Sequence, residues 1–147
     1  MIGSRQNIQK TEDFNIVIDD VSVTPSGSLR MLGVVLDPVL SWEKHVGHVV
    51  QKCNCLLISF YRFRHHFSQD VLQKLINTHV FPYITYCLSV WGGASKNQLL
   101  RIQKTINFAA RVVTGARRMD RIGPTLQALG WERVERNCAS LLVPFCL

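Results

Sequence analysis

Ser41-Trp42-Glu43-Lys44-His45-Val46-Gly47-His48-Val49-Val50-Gln51-Lys52-Cys53-Asn54-Cys55-Leu56-Leu57-Ile58-Ser59-Phe60-Tyr61 is the stretch on which the reading of this 147-residue chain turns. Trp42, Val46, Val49, Val50, Cys53, Leu56, Leu57, Phe60 and Tyr61 recur every three or four positions, the spacing that places side chains on one stripe of an α-helix. Ser41, just ahead of the stripe, is a residue type that caps a helix N-terminus. From here to the end of the chain the apolar period stays near 3.6 and does not return to alternation.

Downstream, Ser68 is placed to cap a second helix, with Asp70 in its first turn, where the helix dipole favours negative charge. Val71, Leu72, Leu75, Ile76 and Val80 form its stripe, and Pro82, which lacks an amide donor, interrupts it. Tyr83 to Trp91 reads as a short apolar helix ending at Gly92-Gly93. Ser95 is set to cap a fourth helix, with Leu99, Ile102, Ile106, Ala109, Ala110 and Val113 inward and Gly115 at its C-terminus. Pro124 is expected to open a short helix through Leu129, and an amphipathic piece runs from Trp131 to Leu147. Trp42, Leu57, Leu75, Tyr86, Trp91, Ile106 and Trp131 are the large apolar members of these stripes and are predicted to be buried.

Upstream the period is two. After ten polar, loose residues, Phe14-Asn15-Ile16-Val17-Ile18 and Val21-Ser22-Val23 are β-rich runs joined by Asp19-Asp20, which reads as a tight hairpin turn. Thr24 to Ser28 is a loop by composition. Leu29 to Leu36 reads as a third strand, with Gly33 where a side chain would obstruct packing. The fold class is therefore mainly α: a short β hairpin and three-strand lead-in over residues 1–40, then a helical bundle over residues 41–147.

A chain this long can bury a core. With 47% hydrophobic and 18% charged residues it belongs with globular proteins rather than disordered ones. The net charge is +7 and the pI near 9.5, which raises nucleic acid, or an anionic membrane surface, as a partner. The charge is uneven: residues 1–50 carry four bases against six acids, and residues 51–147 carry thirteen against four. No apolar run approaches the roughly 18 residues of a membrane span, so no membrane partner is expected. The five cysteines have no C-x-x-C pair, and with no signal peptide at Met1 they read as reduced thiols of an intracellular protein.

Chemistry is sparse. Asp19-Asp20 invites comparison with paired metal-binding aspartates, but Val17-Ile18 precede them and no earlier strand supplies a third carboxylate. His45 and His48 share a helical face without a Cys, Asp or Glu one turn away, and His45 reads as a core histidine. Cys53 and Cys55 lie about 200° apart around a helix and do not chelate together. No nucleophile stands beside a base and no glycine-rich phosphate loop exists, so neither catalysis, a cofactor nor a metal is expected. The feature with chemical weight is basic. Arg101, Lys104 and Arg111 fall within about 80° of helical arc, and Arg117, Arg118 and Arg121 crowd the following loop. Such a face neutralises phosphates. No aromatic residue is read as interleaving with these bases, which predicts contact with little sequence preference.

Several blocks carry a family likeness. Gly3-Ser4-Arg5-Gln6 is followed by the hairpin Ile16 to Val21, then Leu32-Gly33-Val34-Val35-Leu36-Asp37 with Leu40-Ser41-Trp42 and His45. Ser68-Gln69-Asp70, Tyr86-Cys87 and Trp91-Gly92 come next. Leu100-Arg101-Ile102-Gln103-Lys104 precedes Ala109-Ala110-Arg111-Val112-Val113-Thr114-Gly115-Ala116, and Ile122 to Trp131 closes the series. In this order they resemble the segment downstream of the catalytic palm in LINE-type (non-LTR, jockey-like) retrotransposon reverse transcriptases. The chain departs from that pattern at Asp20, where the family has glycine, and at Glu132-Arg133-Val134, where it has Leu-Pro-Val. The family's aromatic-x-Asp-Asp motif has no counterpart here.

The resemblance implies a non-catalytic C-terminal piece, the connection and thumb, packed beside primer and template. It implies RNA or DNA as a partner through phosphates, and the missing palm of the parent polymerase as a protein partner. The residues alone also fit a small helical interaction module or a functionless transposon remnant.

Overall fold

A computed structural model describes residues 2–3, 8, 16–18, 20–24 and 26–134. The rest of the polar opening, Phe14, Asn15, Asp19, Pro25 and the amphipathic piece after Val134, with Cys138 and Cys146, lie outside the described residues. Among the described residues after Ile8, four strands, β1 (Ile16–Ile18), β2 (Val21–Val23), β3 (Leu29–Met31) and β4 (Val34–Leu36), precede the helices. These are α1 (Glu43–Phe63), a 3-10 turn at Arg64–His66, α2 (Gln69–His79), α3 (Phe81–Thr85), α4 (Leu88–Trp91), α5 (Lys96–Thr114) and α6 (Ile122–Ala128). The fold is mainly α, and among the described residues the strands are confined to its N-terminal part. The chain divides into two compact units, Met1–His45 and Val46–Leu147.

In the first unit the strands form two separate antiparallel hairpins, β1–β2 and β3–β4. In β1–β2, Ile18 pairs with Val21 and Ile16 with Val23, so the connection is a two-residue turn in which Asp20 has φ +63. The single strand expected over Leu29 to Leu36 is instead a hairpin. Met31 pairs with Val34 across Leu32 and Gly33, which have φ +48 and +85. Two positive φ values in a two-residue loop match the right-handed strand twist. Gly33 therefore serves the turn rather than close packing.

Asp37 then organises the start of α1. Its Oδ2 accepts the Ser41 N–H at 3.0 Å and its Oδ1 the Trp42 N–H at 3.2 Å. The Ser41 hydroxyl takes the next donor, Glu43 N–H, at 3.4 Å. Capping, expected from Ser41 alone, is thus shared with a carboxylate four residues earlier. His45 is buried, and its Nδ1 accepts the Val35 N–H at 3.4 Å, the core role expected of it.

The second unit is built on the predicted stripes. Val46, Val49, Cys53 and Leu57 of α1 are buried, as are Leu72 and Ile76 of α2. The Cys53 thiol donates to the Val80 carbonyl at 3.8 Å, and Ser68 caps α2 by accepting the Val71 N–H. Helix α5 buries Ile102, Ile106, Ala109, Ala110 and Val113 and packs on α2 and α6. Trp131 lies 4.8 Å, ring to ring, from Phe81. Gly115 ends α5 at φ +71, its N–H returning to the Arg111 carbonyl.

Five expectations need correction here. Tyr83 to Trp91 is not one helix but two, broken by Cys87 at φ +52. The break brings the Tyr86 carbonyl within 2.9 Å of the Trp91 indole N–H, so Trp91 is buried while the Tyr86 side chain is half exposed. Ser95 occupies the cap position of α5 but makes no side-chain cap bond; its carbonyl accepts from Gln98 and Leu99. Helix α6 starts at Ile122, two residues before Pro124, which falls within the first turn where a missing N–H does no harm. Leu75 is only partly buried.

Candidate nucleic-acid interface

Arg101, Lys104 and Arg111 do share one side of α5, and Phe108 stands on the same stripe, four residues after Lys104 and three before Arg111. Opposite them runs α1. A groove of ≈ 460 Å³ lies between the two helices, walled by Val50, Asn54 and Ile58 on one side and Arg101, Lys104 and Phe108 on the other. Gly47 of α1 also lies near Arg101: a β-carbon there would stand 3.6 Å from Arg101 Nη2, an ordinary contact. Arg101 Nη1 also donates to Gln98 Oε1 at 3.0 Å, which holds the guanidinium along its own helix.

Phe108 is also part of the wall of a second groove of ≈ 580 Å³, with Tyr61, Arg64, Arg111, Arg117 and Arg118. The two hollows therefore adjoin at one aromatic ring. Arg64 lies over the Tyr61 ring, 4.6 Å from guanidinium carbon to centroid, a cation–π arrangement that fixes both side chains at the C-terminal end of α1.

The loop after Gly115 is shaped by Arg111. Its Nε donates to the Arg117 carbonyl and its Nη2 to the Arg118 carbonyl, both at 3.4 Å, while Nη1 reaches the Asn107 carbonyl at 3.5 Å. Asp120 closes the turn by accepting the Arg117 N–H at 2.7 Å. Arg111 thus spends its donors on the backbone, and the loop it holds presents the exposed side chains of Arg117 and Arg118. Arg121 is exposed at the cap position of α6 and belongs to neither groove.

Of the six bases picked from the sequence, Arg101 and Lys104 line one groove, Arg111, Arg117 and Arg118 the other, and Arg121 stands apart. Arg64, Tyr61 and Phe108 were missed. The reading that no aromatic residue interleaves with the bases is overturned by Phe108, whose helical spacing from Lys104 and Arg111 was visible in the sequence. Tyr61 comes from the end of α1 and Arg64 from the 3-10 turn that follows it, and only the placement of α1 beside α5 reveals them.

Among the described residues no three His, Cys, Asp or Glu side chains gather to hold a metal ion. No helix among them is long and apolar enough to cross a membrane.

A sequence comparison relates the chain to one class of protein, the RNA-directed DNA polymerases of transposons. The chain is similar to the probable RNA-directed DNA polymerase from transposon X-element of Drosophila melanogaster, with 27% identity over 103 residues. The match takes in 68% of this chain but 11% of that polymerase, so the chain spans only a small part of its relative's length. No protein-family profile and no solved structure matches the chain.

Proposed function

We propose that this chain is a non-catalytic, C-terminal part of a LINE-type, jockey-like retrotransposon reverse transcriptase. Residues 1–40 form the connection after the palm and residues 41–147 a thumb-like helical domain. The helical domain contacts primer and template through their phosphates, without a cofactor, inside the cell. The palm of the parent polymerase is its protein partner. The observation that carries this reading is the run of Arg101, Lys104, Arg117 and Arg118 along two adjoining grooves. Similarity to a transposon polymerase over 68% of the chain supports it. Two-metal polymerisation needs clustered carboxylates, and Asp20 sits in a hairpin turn of the first unit.

The test is titration of a labelled RNA–DNA hybrid at two salt concentrations. Phosphate contacts give a log–log salt slope of about −0.9 each on duplex. Arg117→Ala combined with Arg118→Ala is expected to flatten that slope by roughly two units and to weaken unrelated sequences equally. Primer extension on the same hybrid with magnesium or manganese is expected to stay at background. Binding without salt sensitivity would leave a helical interaction module or a functionless remnant as the better account.

A further inference from the structure

We propose that the groove beside Tyr61 and Phe108 takes an unpaired stretch of nucleic acid, its bases against the aromatic side chains and its phosphates against the arginines. The inference rests on the nucleic-acid reading above and narrows it from primer and template in general to their unpaired part. Three observations carry it.

First, the basic grooves are not purely polar. Phe108 forms the wall between them, and Tyr61, half exposed, lies at the far side of the second. A duplex keeps its base faces stacked and offers phosphate and groove edges only, so an aromatic ring among bases adds little for it. An unpaired base offers a π-face, and aromatic rings interleaved with cations are what single-strand binders use. Second, Arg64 is held over Tyr61, its guanidinium carbon 4.6 Å from the ring centroid. Arginine guanidinium planes, like aromatic rings, are surfaces on which unpaired bases stack. Third, the phosphate ligands stand on a preformed support. Arg111 and Asp120 tie down the backbone of Arg117 and Arg118, so less freedom is lost on binding. Arg101 to Arg111 spans about 15 Å of helix at 1.5 Å per residue, a run of a few nucleotides.

The test compares oligouridylate, oligothymidylate and an RNA–DNA hybrid of equal length by fluorescence anisotropy, using the full chain. Both single strands are expected to bind more tightly than the hybrid, and the ratio of the first two reports whether RNA or DNA is favoured. Tyr61→Leu keeps an apolar side chain at this half-exposed position. It is expected to lower single-strand affinity about ten-fold, the worth of one stacked base, and to leave the hybrid unchanged. Tyr61→Phe is expected to restore the loss. Arg117→Ala with Arg118→Ala should weaken all three ligands. If the hybrid binds best, or Tyr61→Leu affects single strands and hybrid alike, the single-strand inference falls while the nucleic-acid reading stands. If none of the three ligands shows salt-sensitive binding, both fall.

Discussion

Asp37 shows how much one carboxylate contributes at the entrance to α1. Burial by itself raises its pKa, but the hydrogen bonds from the Ser41 backbone and hydroxyl and from the Trp42 N–H outweigh that and set it below the ordinary 3.8. A carboxyl with a depressed folded pKa stabilises the fold above its unfolded value of about 3.9. That contribution disappears as pH falls through the folded value. Asp37→Ala is expected to lower stability at neutral pH by about 0.5–2 kcal/mol, the worth of an N-terminal cap. Asp37→Asn should show a shallower acid limb than the parent in urea titrations across the acid range; an unchanged limb would remove the capping role. Cys53 gives a second residue-scale expectation. Burial pushes its thiol up to about 11, while Cys55, two residues on, is exposed. The thiolate is the reactive form, so peptide mapping after brief maleimide treatment at mildly alkaline pH should find Cys55 modified and Cys53 untouched until the chain is unfolded.

At the scale of elements, the long amphipathic helices were legible and the short ones were not. The reason is physical. Helices α1 and α5 carry five or more turns of stripe, so periodicity determines them. In the α3–α4 region the chain turns at Cys87 with a left-handed φ, a conformation that sequence associates with glycine or asparagine. Nothing about a cysteine announces it. The same holds at Leu32, where a leucine takes the first turn position of β3–β4 and an apolar run is split into a hairpin. The bond from the Trp91 indole to the Tyr86 carbonyl spans the turn at Cys87. Trp91→Ala is therefore expected to cost about 3–5 kcal/mol. Trp91→Phe, which keeps most of the volume and loses the hydrogen bond, should cost less, of order 1 kcal/mol for that bond. Chemical denaturation separates them; equal losses would mean the bond contributes nothing. Gly115→Ala meets no atom within 4 Å, so its effect, about 1 kcal/mol from φ +71 alone, isolates the backbone requirement at the end of α5.

For the whole molecule, the candidate interface was half legible because its two walls come from helices far apart in sequence. The bases on α5 are visible as a stripe, whereas Tyr61 and Arg64 acquire meaning only when α1 lies alongside. The first unit raises a different question. In the β1–β2 register Ile16 faces Val23 and Ile18 faces Val21, and residues paired across an antiparallel ribbon share a face. All four are exposed, as are Leu29, Met31 and Leu32. A two-stranded ribbon is marginal in water without something against its apolar face, and apolar patches beyond a few hundred Å² mark interaction sites. On the reading proposed here the palm covers that face in the parent polymerase. Without it the chain is expected to self-associate as concentration rises, measured by light scattering after size exclusion. Ile18→Glu with Val21→Lys replaces an apolar pair by opposite charges at directly paired positions, which preserves the hairpin and removes half of its apolar face. That double variant should remain monomeric over the same concentration range with an unchanged helical circular dichroism signal. A parent chain that is monomeric throughout, or a double variant that associates as strongly, would show that the β1–β2 face needs no partner.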